Sequence, residues 1–579
     1  MPSRPAPSRR DARAIASLIA DAFADYDARF GDITRRAQRR FAQCDWTGAQ
    51  ADAVARIDLY EQCVGETLAR LDARFGDRLR ARMLWNQVRD AYAGAIAERL
   101  DCELDKTFFN SLSRRLFGTR GADARLEFLA VDIEPTDRIT HPVARHVYVI
   151  GDDLATSCGR LLRDHAFVGR FADLEASARA LAAALRARSD TRGRAIELLR
   201  TVFYRERRAY LVGRIFDDET WAPLVVALTN GDGGVAVDAV LTERRQVSML
   251  FGFARSYFHA DLPTVGDAVV FLRTLMPHKP VDEIYAVLGR AKQAKTERYR
   301  RLLRHLQLNP DERFVVAEGE RGLVMQVFTL PTYPIVFKLI RDRFGYGKSI
   351  SRAGVIARYR LVARHDRVGR LVDAQEFREL RFAAARFEPA LLDALLAECS
   401  ETVYRDGGEI VLRHCYIERR LRPLNLYLRE VDEAAALAAA LDYGQAIKDL
   451  ARSGIFPGDM LLKNFGVSRN GRAIFYDYDE LCPLEACSFR RLPALSGDEA
   501  LQPLEDVVYA AEGDVFPEEF ARFLGLAPAL REAFVAAHPE LFDPDWWRGL
   551  QAARLRGEAP DVPPYPDSAR TAVRAQTSA

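Results

Sequence analysis

From Asp11 onward the apolar positions recur at steps of three and four: Ile15, Leu18, Ala22, Tyr26 and Phe30 fall on one face of a helix over residues 11–30. Alanine- and arginine-rich stretches with the same spacing continue to about residue 120, and return over 171–199 and around Leu302, Leu303 and Leu306. The first half is therefore expected to be mostly helical. Between 210 and 241 the period changes: YLVGRIF and LVVAL are short β-branched runs, and NGDGG separates the second from VAVDAVL. This pattern predicts a small hairpin inside the helical half. LNPDER at 308–313 is the best domain boundary.

Beyond that boundary FVVAEG, GLVMQVFTL and PIVFKLI read as strands, a helical stretch is predicted over Gln375–Phe387, and more helix from Leu391. EIVLRHCYIE reads as a strand, 433–450 as a helix ending near Gly454, and FGVSRNGRAIFYDYD as a strand-turn-strand. Strands first, then helix, strand and mostly helices is the order of a two-lobed nucleotide-transferring domain. From 557, GEAPDVPPYPDSARTAVRAQTSA lacks a core pattern and reads as a flexible tail.

Length and charge narrow the classes. The 579 residues suggest two to four domains. Lys plus Arg total 84 against 82 Asp plus Glu, so a net charge of +2 gives no global field to draw the chain to nucleic acid or lipid headgroups, and neither is expected as a partner. Eight cysteines without a CxxC pair look cytosolic and unlike a disulfide framework. The nine histidines form no HExxH set, so any metal is expected to sit on oxygen ligands. MPSRPAPSRR leads into an amphipathic segment instead of an apolar signal core, and no stretch reaches the length of a membrane span, which makes the cytoplasm the expected location.

The strongest local signal is GDMLLKNFGVSRNGRAIFYDYDE, where Asp459 stands five residues before Asn464 and Asp477 thirteen after it. Phosphoryl transfer needs those types: a carboxylate to orient or deprotonate the acceptor hydroxyl, an amide oxygen on magnesium, and a carboxylate bridging magnesium to the phosphates. The D-x-x-x-x-N spacing is that of a kinase catalytic loop, with Pro457 and Gly458 replacing the usual histidine and arginine. Asp477 and Asp479 would point to one side of an extended strand, where two like charges need a cation or donor unless they are solvated acids at a strand end.

Upstream, the loop Ala317, Glu318, Gly319, Glu320, Arg321, Gly322, Leu323 turns between strands, where freed backbone N–H groups can cradle phosphates; alone it is equally an ordinary turn. Lys338 is one of only 8 lysines against 76 arginines and sits between Phe337 and Leu339. A buried ammonium there implies a phosphate or carboxylate partner. Glu376 or Glu379 of the predicted helix is the expected carboxylate, with the choice between them open, and Asp373 reads as the N-cap of that helix. Cys415, Tyr416, Ile417 and Glu418 are expected at the hinge that meets adenine, with Tyr416 and Glu418 as nucleotide contacts. Arg419, Arg420 and Arg422 read equally as a solvated patch.

On FTLPTYPIVFKLIRDRFG, HDRVGRLVDAQEF, YIERRLRPLN, IFPGDMLLKNFGV and FYDYDE, the chain resembles the bifunctional isocitrate dehydrogenase kinase/phosphatase family of bacteria over nearly its whole length. The resemblance implies an enzyme that phosphorylates an active-site serine of isocitrate dehydrogenase and also removes the phosphate, apportioning isocitrate between the tricarboxylic acid cycle and the glyoxylate bypass. It implies ATP and ADP with Mg²⁺, or Mn²⁺ in its place, and AMP as an allosteric effector bound between the helical and kinase domains. Family pattern supports Lys338 and Ala317–Leu323 as ATP contacts, Asp459 as the hydroxyl-activating carboxylate, and Asn464 and Asp477 as magnesium ligands. It also marks Asp373 as an active-site residue, against the capping reading. For the phosphatase direction two schemes stand open: Asp479, two positions beyond Asp477, positions water for attack on phosphoserine, or ADP accepts the phosphoryl group before hydrolysis.

The expected fold class is thus α+β: a helix-rich N-terminal regulatory domain over 1–310 with a small β insertion, a bilobal protein-kinase-like domain over 311–556, and a flexible tail over 557–579. The expected partners are isocitrate dehydrogenase and adenine nucleotides, with room for a homodimer. Two other readings remain at this point: a divergent kinase for another substrate, and a nucleotide-binding regulatory pseudokinase.

Overall fold

The computed structural model describes residues 9–119, 121–129, 142–165, 170–188, 193–252, 258–345, 350–365, 368–493, 510–511, 513–558 and 561–571. The chain divides into two compact units, one holding the sequence up to Pro310 with Glu379–Arg381 and the segment from Tyr565, the other holding Asp311–Arg378 and Phe382–Pro564.

The first unit opens with four helices, α1 (Arg9–Ala42), α2 (Trp46–Phe75), α3 (Arg82–Ala95) and α4 (Cys102–Phe117). All five apolar residues at helical spacing on α1 are buried. Tyr26 packs against Tyr60 of α2 and Phe108 of α4 at ring separations of 5.2 and 6.2 Å, so the 3.6-residue stripe becomes an aromatic core. Asp45 caps α2 by accepting from Gly48 N at 2.9 Å.

The expected small hairpin is one corner of a six-stranded sheet: β1 (Arg145–Val149), β2 (Ala195–Leu199), β3 (Phe203–Arg205), β4 (Arg208–Phe216), β5 (Trp221–Gly231) and β6 (Gly234–Leu241). β5 and β6 pair up to Gly231↔Gly234, so Asp232 and Gly233 form the turn that NGDGG foretold. β4 and β5 are central and buried on both faces, hence their continuous apolar runs; β1 and β2 alternate and are short, which hides them among helical text. Helices α5 (Leu154–Asp164) and α6 (Leu174–Arg188) interrupt the strands. α7 (Arg244–Leu250), α8 (Val265–Leu275), α9 (Val281–Val287) and α10 (Ala291–Leu308) follow them.

The C-terminal segment departs from the flexible tail expected after 557. Tyr565 is buried, Arg570 bridges to Ala239 of β6, and Thr571 N donates to Asp238 O at 2.8 Å. The buried Asp238 binds this segment, which a search for apolar periodicity cannot see. Residues 559–560 and 572–579 of the expected tail lie outside the described residues.

The second unit carries a five-stranded antiparallel sheet in the order β10 (Gln375–Phe377), β14 (Cys415–Arg419), β9 (Tyr333–Ile340), β8 (Met325–Leu330), β7 (Val315–Val316). Next to it are α11 (Arg352–His365), α12 (Pro389–Glu398) and a three-stranded sheet of β11 (Leu380–Ala383), β12 (Val403–Asp406) and β13 (Glu409–Leu412). The chain then passes through β15 (Arg422–Pro423) into α13 (Leu424–Glu430) and α14 (Glu433–Arg452). β16 (Ile455–Phe456) pairs with β19 (Cys482–Pro483), and β17 (Phe465–Val467) pairs with β18 (Ala473–Phe475).

The helix expected over Gln375–Phe387 is absent. Phe377, Leu380 and Phe382 are buried, a period-2 strand pattern, and Glu379 at φ +54° breaks it with a kink that makes the spacing look helical.

Candidate active site

Lys338 lies on β9 opposite Tyr416 of β14, and two residues further along β14 on the same sheet face is Glu418. The ammonium and carboxylate meet at 2.8 Å with side chains 6% and 1% exposed, and Lys338 Nζ also donates to Tyr476 O at 2.6 Å. The rings of Tyr476 and Tyr478 face the ammonium at 5.1 and 5.8 Å. A lysine this deeply buried is satisfied only by such a pair plus hydrogen bonds.

Neither expected glutamate is that partner, because both sit on strand and kink instead of on a helix. Glu376 belongs to β10, where it accepts from Arg378 at 2.6 Å and lies 3.4 Å from His414. The His414 ring and the Arg378 guanidinium hold its carboxyl far below the usual range, against the effect of burial. Glu379 is the kink residue. Glu418, expected as an adenine contact at the hinge, turns its carboxylate onto Lys338, and the Tyr416 ring stacks on Tyr359 of α11 at 3.9 Å.

Asp373 caps no helix. Leu371 forms a parallel bridge with Phe475, Phe475 N donates to Arg370 O at 2.8 Å, and Val372 N donates to Phe475 O at 3.3 Å. Two residues beyond each bridge partner stand Asp373 and Asp477, so the pairing brings both acids to the same end of the two segments. Asp373 Oδ2 accepts from Gln375 Nε2 at 3.1 Å.

Arg370, which sequence reasoning passed over, anchors this pairing. Its buried guanidinium donates to Asp442 at 2.6 and 2.9 Å, to Asp449 at 2.8 Å and to Ala473 O at 3.1 Å, tying the Asp373 segment to α14 and β18. Asp442 also accepts from Ala473 N at 2.6 Å. The only sequence signal was an arginine beside an apolar run.

The loop from β16 to β17 carries Asp459 and Asn464. Gly458 has φ +77°, and a Cβ there would lie 2.4 Å from Glu480 O, so glycine alone lets this loop close against the segment that follows Asp477. Asp459 Oδ1 accepts from Leu461 N at 3.0 Å, and Asn464 Nδ2 donates to Asp459 O at 3.2 Å, which leaves the amide oxygen as the end for a cation. Tyr476 N donates to Asn464 O at 3.0 Å, extending the β17–β18 ladder and setting Asp477 beside buried Asn464. Asp477 and Asp479 are half-buried on either side of buried Tyr478, as alternation requires.

The loop Ala317–Leu323 runs between β7 and β8, tied by Ala317 N to Val327 O at 3.1 Å and turned at Gly319, φ +120°. Its Glu318 pairs with Arg422, and Glu320 reaches Lys463 at 3.2 Å. Arg422 and Lys463 were not expected at the site; one read as a surface patch, and the other's rarity as a lysine beside Asn464 was the signal available.

Among the described residues no three His, Cys, Asp or Glu side chains cluster as a metal site. Asn464 and Asp477 offer an amide and a carboxylate oxygen, the hard and incomplete donor set that suits Mg²⁺ shared with phosphate oxygens.

Two family models divide the chain: isocitrate dehydrogenase kinase/phosphatase (AceK) regulatory domain matches residues 16–311, and the AceK kinase domain matches residues 312–567. The chain belongs to the isocitrate dehydrogenase kinase/phosphatase family. The protein so named from Xanthomonas axonopodis pv. citri (strain 306) is 54% identical over 576 residues, covering 99% of this chain and 100% of its own. That from Anaeromyxobacter dehalogenans (strain 2CP-C) is 45% identical over 577 residues, covering 96% and 98%. Membership puts the regulatory domain on the helical first half and the kinase domain on the unit that holds Lys338, Asp459, Asn464 and Asp477. Among the described residues no helix is long and apolar enough to cross a membrane.

Proposed function

We propose that this chain is a cytoplasmic, bifunctional enzyme that uses ATP to phosphorylate an active-site serine of isocitrate dehydrogenase and also removes that phosphate, setting flux between the tricarboxylic acid cycle and the glyoxylate bypass. The observation that carries this reading is the match of the family's two domains to residues 16–311 and 312–567, and the hydrogen bonds that run from Lys338 through Tyr476 and Asn464 to the Asp459 backbone support it.

Lys338, held in place by Glu418, neutralises charge on the α- and β-phosphates while N–H groups of the Ala317–Leu323 loop cover them. Asn464 and Asp477 are the donors that would hold Mg²⁺, which when bound supplies charge neutralisation at the phosphates. Asp459 orients the serine hydroxyl and takes its proton as the serine oxygen bonds to the γ-phosphorus and the bond to the β-phosphate oxygen breaks. Asp373, beside Asp477, keeps that end of the site acidic. In the reverse direction Asp479 positions water for attack on phosphoserine, with ADP in the nucleotide site and AMP favouring this direction.

The test incubates the purified protein with unphosphorylated isocitrate dehydrogenase, Mg²⁺ and γ-labelled ATP, then exchanges nucleotide to ADP plus AMP. Label should enter one serine as dehydrogenase activity falls and leave as activity returns. No transfer by folded protein that binds ATP would point to a nucleotide-binding role, and transfer only to other acceptors would point to another substrate.

A further inference from the structure

Behind the candidate site lies a pair of thiols that the phosphoryl-transfer scheme does not use. Cys482 Sγ and Cys487 Sγ stand 3.6 Å apart, in van der Waals contact, and both residues are half-buried and within reach of a small solute. Bonded sulfurs stand about 2.05 Å apart, so closing the pair needs a movement of about 1.5 Å. The loop between them holds the two sulfurs together without a bond. Pro483 leads into a 3₁₀ turn over Leu484–Ala486, and Cys487 N donates to Leu484 O at 3.2 Å. Gln551 Nε2 clamps the turn from outside, donating to Leu484 O at 2.8 Å and Cys487 O at 2.7 Å, and Leu484 N donates to Gly454 O at 2.9 Å.

The pair is wired to the transfer loop. Cys482 is the strand partner of Phe456, three residues before Asp459, and follows Asp477 by five residues. Gly458 packs directly under Glu480 O, so a shift of the strand at Cys482 has no slack to take it up. The two thiols also differ in character. Contact with Cys487 and the nearby Arg358 guanidinium bring the Cys482 thiol below its ordinary range against the effect of burial. Contact with Cys482 and burial push the Cys487 thiol up. An attacking thiolate next to a resolving thiol is the arrangement thiol–disulfide exchange needs.

We propose that Cys482 and Cys487 form a reversible dithiol–disulfide site that reacts with low-molecular-weight disulfides and, when oxidised, slows phosphate transfer by drawing β19 and β16 away from their reduced positions. Cys482 thiolate attacks one sulfur of the small disulfide, whose S–S bond breaks and whose other sulfur leaves with the electron pair and takes a proton. Cys487 then gives up its proton, its sulfur bonds to Cys482 Sγ, and the second small thiol leaves. Two protein thiols are oxidised and one small disulfide is reduced to two thiols.

The inference rests on the proposed transferase reading for its activity readout, but the linkage is read by mass and is independent of it. Full-length protein is incubated with oxidised glutathione, then digested for mass spectrometry, with phosphate transfer measured before and after. A loss of 2 Da on a peptide joining 482 to 487 is expected, with at least a several-fold fall in transfer rate that a small dithiol reverses. Cys487→Ser should keep full transfer when reduced and stop at a single glutathione adduct on Cys482. Failure to form the 482–487 linkage, or a linkage that leaves transfer unchanged, would overturn the proposal. Absence of transfer in the reduced protein would instead count against the transferase reading.

Discussion

Lys338 is readable from sequence as buried, because it is a rare lysine between Phe337 and Leu339, but its partner is not. Glu418 is 80 positions away and reaches it only through the β9–β14 register, whereas a search along the chain offers the nearer Glu376 and Glu379. The pairing makes a test at single-residue resolution. Glu418→Leu leaves a buried ammonium with no carboxylate, a loss of about 3–5 kcal/mol. Adding Lys338→Met removes the stranded charge, and most of that loss should return in denaturant titration of the double variant. Phosphate transfer should stay absent in the double variant, since the phosphate-neutralising cation is gone. A double variant no more stable than Glu418→Leu would mean the Lys338 ammonium is not left costly when the carboxylate is removed, with Tyr476 O enough to hold it. Asp459, Asn464 and Asp477 are nominated by a local spacing, and the Lys338–Glu418 pair has no such spacing.

At the scale of elements, strong periodicity was legible and mixed periodicity was not. The α1 stripe became a buried face, and YLVGRIF became β4. Gln375–Phe387 misled because a left-handed residue at Glu379 put the buried positions of β10 and β11 out of phase. The packing of α4 against α10 was invisible in sequence, and it carries a titration. Arg300 of α10 is shared by two carboxylates, Glu103 at 2.7 Å and Glu297 at 2.9 Å. Lys106 adds a second cation to Glu103 at 2.7 Å, while Glu297 is otherwise served by neutral Gln293 at 2.7 Å and faces Tyr285. Burial therefore wins at Glu297 and pushes its carboxyl up to about 7 despite Arg300.

A folded-state value above the unfolded one of about 4.3 makes the protonated carboxyl a stabilising form. That contribution is fully present below about pH 4.3 and is lost as pH rises through about 7. Glu297→Gln copies the protonated form, so wild type and variant should have similar melting temperatures at about pH 4. At pH 8 the variant should be more stable, by up to about 4 kcal/mol. Equal stability at pH 8 would show that Arg300 offsets the cost of ionising Glu297, so that burial does not raise its carboxyl.

For the whole molecule, the chain begins in one unit, runs in the other from Asp311 to Pro564 except at Glu379–Arg381, and returns to the first at Tyr565. The change from helical to strand patterning near 310 is visible in sequence. The return is not, because what draws the chain back is a buried acid instead of an apolar stripe. Asp238 on β6 is fully buried and takes Arg208 Nε at 3.2 Å, Arg570 at 3.3 Å and the Tyr565 hydroxyl, which itself accepts from Arg208 Nε at 2.7 Å. Tyr565→Phe removes one donor to a buried carboxylate and one acceptor from a buried guanidinium, a loss of about 1–3 kcal/mol.

Ending the chain at Pro564 also removes Arg570 and the Thr571 N–H, and should weaken the first unit further. Because two units need not unfold as one, the decisive measurement is hydrogen exchange followed strand by strand. Amide protection on β6 should fall in Tyr565→Phe and fall further in the shortened chain, while β9 and β14 of the second unit keep theirs. Equal loss in both units would mean that the segment from Tyr565 supports the second unit as well, and unchanged protection on β6 would mean that Asp238 is adequately held by Arg208 alone.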